Sequence, residues 1–301
     1  MSGSAFLTRF APSPTGHLHL GHLVNAIHVW GAARAAGGRV LLRIEDHDRE
    51  RSRSAYEQSI LEDLEWLGLM ADLPPADVLA RDPSAARQSS RPGRYETALR
   101  QLEARGLVYW CDCSRARIQR ESGTSGGELR YDGRCRTRGL GPGPDRGVRV
   151  RMDPGVERFD DLLLGPQAQD PSQQCGDLLV RDRVGQWTYQ FAVTVDDMVD
   201  GVTHVIRGRD LLASTGRQIR LARLLGRGTP PRFAHHPLLL GEDGAKLSKS
   251  RGDTGIRELR AAGLSPEEVL GRAAHAVGLI DRLRPVAVSE LGDLVAARIT
   301  L

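Results

Sequence analysis

His19-Leu20-Gly21-His22, near the start of the chain, and Lys246-Leu247-Ser248-Lys249-Ser250, near its end, are the two stretches best suited to chemistry on phosphates. Two imidazoles beside a glycine can receive an anion, and Gly21, like Gly16 before it, lets a phosphate approach the backbone closely. In the second stretch Lys249 stands between Ser248 and Ser250, with Gly244 and Gly252 as hinges on either side. A polar loop of that make-up can close on a triphosphate and place ammonium groups where charge builds on a departing pyrophosphate. A preorganised donor aimed at developing charge is worth roughly 3–4 kcal/mol. His19, Gly21, His22 and Lys249 are therefore the candidate phosphate-binding groups, and His19, His22, Lys246 and Lys249 the candidate catalytic ones.

The neighbouring sequence supplies elements that can position both stretches. Ala5 to Ala11 reads as a short strand, and Pro12-Ser13-Pro14-Thr15-Gly16 as a turn. Leu20, Leu23, Val24, Ile27 and Trp30 then recur at helical spacing, up to a stop at Gly37-Gly38. The two histidines thus fall at a helix N-terminus, where unbonded N–H groups and the positive end of the helix dipole favour an anion. The lysine stretch lies between a strand over Phe233 to Leu240 and a helix starting near Gly255.

Elsewhere the pattern predicts strands at Arg39 to Asp46 and Thr203 to Gly208. Helices are expected over Ser52 to Leu67, with a capping box at Ser54 and Glu57, over Gly93 to Arg105, and over Phe191 to Met198. Further helices are expected over Leu211 to Leu225, Gly255 to Ala262 and Pro266 to Val277. Alternating strands and helices mean a parallel α/β unit. Between Val108 and Gly147 that alternation breaks into cysteines, glycines and arginines, followed by short strands at 148–152, 159–164, 176–181 and 185–189. The expected organisation is a first half of the catalytic domain over 1–107, an insertion over 108–188, a second half over 189–252 and a helical stub over 253–301.

A chain of 301 residues can form two compact units, and its net charge of +4 permits a polyanionic partner without requiring one. It has no run of about 20 apolar residues, so no membrane span is expected. The start, Met1-Ser2-Gly3-Ser4, lacks a secretory pattern. Four cysteines, three of them clustered, suggest a reducing cytoplasm and a metal site. Cys111-x-Cys113 and Cys135 offer three thiolates at a spacing suited to structural Zn²⁺. The insertion contains no histidine to complete the set.

Taken together, the two phosphate-directed stretches resemble the "HIGH" and "KMSKS" signatures of class I aminoacyl-tRNA synthetases, with Leu247 at a variable methionine position. Arg9-Phe10-Ala11-Pro12-Ser13-Pro14-Thr15-Gly16, Arg43-Ile44-Glu45-Asp46 and Val205-Ile206-Arg207-Gly208 resemble the glutamate and glutamine branch. The likeness extends over roughly residues 5 to 280. It implies a Rossmann-like parallel sheet interrupted by a zinc-containing insertion, and ATP with Mg²⁺ as substrate. Glutamate then needs cations for its carboxylates and an acid for its ammonium. Arg9 and Arg207 at strand ends suit the former, and Glu45 the latter. The resemblance places Arg9, Phe10, Ala11, Pro12, Ser13, Glu45, Tyr189 and Arg207 around that substrate. It also brings in Tyr131 as the fourth zinc ligand beside Cys111, Cys113 and Cys135.

Two departures point to a particular branch. Arg209-Asp210-Leu211-Leu212 stands where a full synthetase usually has two acids and a histidine, and Gln190 follows Tyr189 where asparagine is common. The chain also runs only 51 residues past Ser250, so no anticodon-binding domain is expected. The resemblance then implies transfer of glutamate to the queuosine base in the anticodon loop of tRNA(Asp), since a splayed loop base can enter an active site directly. Three other readings remain open. They are a truncated synthetase charging a tRNA 3′ end, a non-catalytic RNA-binding paralogue, and a small-molecule nucleotidyl transferase.

Overall fold

The computed structural model describes residues 5–122, 129–239 and 255–299. Lys246 and Lys249 lie outside the described residues. The first strand, β1 (Leu7–Phe10), leads through the proline turn into α1 (Leu20–Ala35), as the apolar spacing predicts. Leu23, Val24, Ile27 and Trp30 are buried, and so are Ala26, Val29, Gly31, Ala32 and Ala33. That helix is covered on more than one side, which a single apolar stripe does not announce. Its second cover is α11 (Leu291–Ala296), which the sequence reading leaves unassigned. The approach is tight, because a Cβ on Gly31 would lie 2.6 Å from the Leu291 carbonyl.

Next come β2 (Arg39–Leu42), α2 (Ser54–Trp66), α3 (Ala76–Arg81) and α4 (Pro92–Ala104). The expected capping box does not form. Arg53 takes the N-cap position of α2, and Glu57 turns to the Arg87 guanidinium at 2.9 Å. A buried carboxylate gains more from an arginine than from one backbone N–H. β3 (Val108–Cys111) and α5 (Arg115–Ser122) follow, then β4 (Gly147–Val150), the hairpin β5 (Glu157–Asp161) and β6 (Gly165–Gln169), α6 (Pro171–Gln174) and β7 (Leu178–Arg181). The strand expected at 185–189 is absent. Trp187 makes only an isolated bridge to Arg181, and Tyr189 opens α7 (Tyr189–Val199). β8 (His204–Gly208), α8 (Thr215–Leu224), β9 (Arg232–His236), α9 (Ile256–Ala261) and α10 (Pro266–Ala276) complete the described elements before α11.

The sheets are mixed rather than wholly parallel. β1 pairs with β2, β8 with β9, and β5 with β9, all parallel, while β6 pairs antiparallel with β5. β3, β4 and β7 form a separate antiparallel sheet. Thr203, at the start of β8, donates its N–H to Leu7 O at 2.9 Å and accepts from Leu7 N through its hydroxyl, which lays β1 beside β8. Arg9 and Arg207 therefore emerge at the same carboxyl-end edge, where open α/β sheets hold ligands.

Candidate active site

α1 begins with a reciprocal pair of imidazoles. His19 is the N-cap, and its Nδ1 accepts the Gly21 N–H at 3.0 Å, while His22 Nδ1 accepts the His19 N–H at 3.2 Å. The rings lie 3.9 Å apart between centroids. Each Nδ1 must carry a lone pair to accept, so each neutral ring holds its hydrogen on Nε2. Two ring N–H donors and a helix N-terminus then face the same cavity, of about 200 Å³.

Arg9, Ala11, Glu45, Tyr189 and Arg207 line that cavity together with His19, Gly21 and His22. Residues from β1, from the segment after β2, from the start of α7 and from β8 meet there. Phe10, Pro12 and Ser13 do not line it. The Phe10 ring packs on Trp30 in the core, and Pro12 acts through its carbonyl, which accepts the Glu45 N–H at 3.0 Å.

The three arginines beside this cavity differ in how their charge is met. Arg43 is wholly buried and bonds Asp197 at 2.7 Å and Glu45 at 3.3 Å. Arg9 bonds Asp197 at 3.2 Å. Arg207 is 3% exposed, and its acceptors are neutral: His235 Nε2 at 3.0 Å, Gln218 Oε1 at 2.7 Å and Thr215 Oγ1 at 2.8 Å. Burial pulls its pKa down to about 10, which leaves it a cation at neutral pH. A buried cation bonded to neutral acceptors is costly unless an anion joins it. Glu45, 4% exposed, is one of two acids lining the same cavity, with Asp210, and burial raises its pKa against the pull of Arg43. Together they offer one site for a carboxylate and one for an ammonium group.

Sequence reasoning did not single out Asn25, Asp210 or His236, which also line the cavity, or Asp197, which balances Arg9 and Arg43. Asp196-Asp197 at helical spacing from Asp200 was the available signal: a cluster of acids on an otherwise apolar helix needs cations. His236 stacks on His28 of α1 with centroids 4.7 Å apart, and its Nε2 meets Asn25 Oδ1 at 3.2 Å.

Cys111, Cys113 and Cys135 bring their sulfurs within 4.8 Å of one another. Cys113 and Cys135 are 3.7 Å apart, and the Tyr131 hydroxyl lies 3.4 Å from Cys111 Sγ and 3.8 Å from Cys113 Sγ. A tetrahedral zinc with thiolates at about 2.3 Å needs sulfurs roughly 3.8 Å apart, so the donor set fits such an ion. Arg149 Nε and Arg138 NH1 each approach a sulfur at 3.3 Å, cations suited to ionised thiols. Gly176 closes the cluster from below with φ +65°, since a Cβ there would meet the Tyr131 carbonyl.

Over residues 5–276 the chain matches the tRNA synthetases class I (E and Q), catalytic domain. It belongs to that family. Over 94% of its length it is 44% identical to a glutamyl-Q tRNA(Asp) synthetase of Symbiobacterium thermophilum, spanning 90% of that protein. It is likewise 44% identical to one of Burkholderia mallei, over 97% of this chain and 94% of the relative. A glutamate–tRNA ligase of Nitratidesulfovibrio vulgaris is 43% identical over 89% of this chain, which spans 56% of that protein. Among solved structures, a glutamate tRNA ligase from Elizabethkingia meningosepticum in complex with its amino acid superposes with a TM-score of 0.78 at 26% identity. That match covers 98% of this chain and 66% of the other.

In this synthetase a second cavity, of about 650 Å³, adjoins the first through Tyr189, which lines both. Cys111, Tyr131, Arg149, Thr188 and Gln190 are among its walls, so it runs from the first cavity towards the cysteine cluster. No helix among the described residues is long and apolar enough to cross a membrane.

The stacked histidines are expected to make the synthetase sensitive to acid. Burial lowers the pKa of His236 to about 3 and also lowers that of His28. Both therefore sit below the ordinary value of about 6.5, and the unfolded chain binds more protons as pH falls through that value. Stability is expected to fall from about pH 6.5 downward, by up to about 1.4 kcal/mol per pH unit for His236, with His28 adding in the same direction. Urea unfolding is expected to show a smaller loss between about pH 7.5 and pH 5 in His28→Gln than in the wild type. Equal losses would show that His28 is not a source of the effect.

Proposed function

We propose that this synthetase uses ATP to convert L-glutamate to glutamyl-adenylate and then transfers the glutamyl group to the queuosine base at the wobble position of tRNA(Asp). The observation that carries the activation step is Arg207, a buried cation with neutral acceptors, in one cavity with Glu45 and the imidazoles of α1. In this reading Arg207 and Arg9 receive carboxylate, Glu45 holds the ammonium, and Tyr189 closes the pocket. His19 and His22 donate Nε2–H to phosphate oxygens at the helix N-terminus. Lys249, with Lys246, supports the leaving pyrophosphate, and Mg²⁺ accompanies the nucleotide.

The α-carboxylate oxygen attacks the α-phosphorus as the bond to pyrophosphate breaks. A queuosine hydroxyl then attacks the activated carbonyl carbon, AMP departs, and the hydroxyl proton passes to solvent. Positioning of the two reactants does most of this work, since the leaving group is already good. The relatives that align over nearly their whole length support the base as acceptor, and the adjoining cavity offers room for it beside Tyr189. Likeness to glutamate–tRNA ligases favours a second reading, in which a tRNA 3′ end is the acceptor.

Cys111, Cys113, Tyr131 and Cys135 would hold one structural Zn²⁺, which ties β3 to the chain after α5. The three cysteines among them form no disulfide, which suits the cytoplasm. Glutamate-dependent exchange of pyrophosphate into ATP, assayed without RNA, tests the activation step. Exchange with wild-type protein and a raised glutamate KM in Glu45→Gln are expected. Well-folded protein that exchanges nothing would overturn the reading.

A further inference from the structure

Arg207 is braced from behind by two side chains that do not reach the cavity. Asp161 ends β5, and His235 on β9 stands directly opposite Arg207 on β8 in the parallel register. Both side chains are fully buried. His235 Nδ1 lies 2.5 Å from Asp161 Oδ2. Asp161 Oδ1 accepts the backbone N–H groups of Leu163 and Leu164 at 3.0 Å and of His235 at 3.2 Å. A carboxylate so surrounded by donors stays ionised, although burial opposes it.

An ionised Asp161 has no proton to offer, so His235 Nδ1 must be the donor and Nε2 must hold the lone pair. That lone pair faces Arg207 Nε at 3.0 Å, with the Thr215 hydroxyl at 3.2 Å. In the other tautomer two N–H groups would confront each other at the same spot. The arrangement has a further consequence. A carboxylate placed directly on Arg207 would fix it equally well but would satisfy its charge. A neutral imidazole fixes the guanidinium and leaves that charge for a ligand.

We infer that Asp161 and His235 are positioning residues for glutamate, acting through Arg207: Asp161 selects the His235 tautomer, and His235 aims the guanidinium into the cavity. The inference rests on the reading of Arg207 as a carboxylate site. Asp161→Asn tests the tautomer, because the amide oxygen must stay with the three backbone donors and the NH₂ then donates to Nδ1. His235→Phe removes the acceptor, and His235→Gln keeps one near the position of Nε2.

Steady-state pyrophosphate exchange is measured for all three, with melting temperature as a check on folding. Asp161→Asn and His235→Phe are expected to raise the glutamate KM roughly 10- to 100-fold, the worth of a hydrogen bond to a charged group, with the ATP KM unchanged. His235→Gln is expected to remain within about threefold of wild type. An unchanged glutamate KM in Asp161→Asn, or glutamate and ATP KM rising together in all three variants, would overturn the inference. Absence of exchange in the wild type would instead strike the proposed function. Nitrogen-15 NMR of the histidine rings needs no activity and no variant. The wild-type His235 should be a neutral Nδ1–H ring, and an Nε2–H ring or an imidazolium there would refute the relay.

Discussion

Replacement of Arg207 by alanine is expected to lower kcat/KM for glutamate in pyrophosphate exchange by roughly 10²- to 10³-fold, with the ATP KM held within about threefold. The size follows from the environment. Three neutral acceptors fix the guanidinium and leave its charge for the ligand, so the variant loses both the fork and a matching charge at that point. Lysine should not restore activity, because a point charge on a flexible stem cannot repeat the planar set of bonds to His235, Gln218 and Thr215. Arg9 is not expected to compensate, since Asp197 holds its Nε and its remaining N–H groups already serve the carboxylate contact assigned to it. A variant that is well folded and binds glutamate as the wild type does would remove the basis for the carboxylate site.

Loss of metal is the other large effect expected. The synthetase as purified should contain about one zinc per chain, and Cys113→Ala together with Cys135→Ala should abolish it. While its other apolar residues cluster with those of α4, α7 and α8, the antiparallel sheet of β3, β4 and β7 meets the cysteines at the Cys111 end of β3. Its own apolar cluster there consists of the cysteines with Tyr109 and Tyr131, plus Ile118 and Leu140 at the margin. Structural zinc contributes an apparent 10–16 kcal/mol in small domains that fold around it. A chelator should therefore lower the melting temperature by many degrees and open the chain around Tyr131 to Cys135 to protease. Elemental analysis, calorimetry and limited proteolysis measure the three. Metal-free protein with an unchanged melting temperature would contradict the assignment of Cys111, Cys113, Tyr131 and Cys135.

What could be read from the sequence was local. β1, the proline turn and α1 follow from apolar spacing and from residues that break regular structure. Arg9 and Arg207 were recognisable near strand ends and through the resemblance, as was Glu45, although β2 stops at Leu42 rather than running to Asp46 and leaves Glu45 in the segment beyond it. What escaped depended on partners distant in the chain. α11 is a single short helix whose apolar face means something only against Gly31 of α1. β5 and β6 read as part of an insertion, yet Asp161 pairs with Phe233 of β9. Trp187, Thr188 and Tyr189 favour a strand by type. The Thr188 N–H instead bonds Val180 O, and the chain turns into α7. His235 lay hidden in what looked like a buried strand, with nothing in its neighbours to mark its tie to Asp161. Lys246 and Lys249, legible as a motif, lie outside the described residues.

The most direct test of the account is transfer of labelled glutamate to tRNA(Asp) from ordinary cells and from cells unable to make queuosine. The account predicts label on the queuosine-containing tRNA alone, in a linkage that survives removal of the 3′-terminal adenosine. Equal label on both preparations, or label confined to the 3′ end, would contradict it.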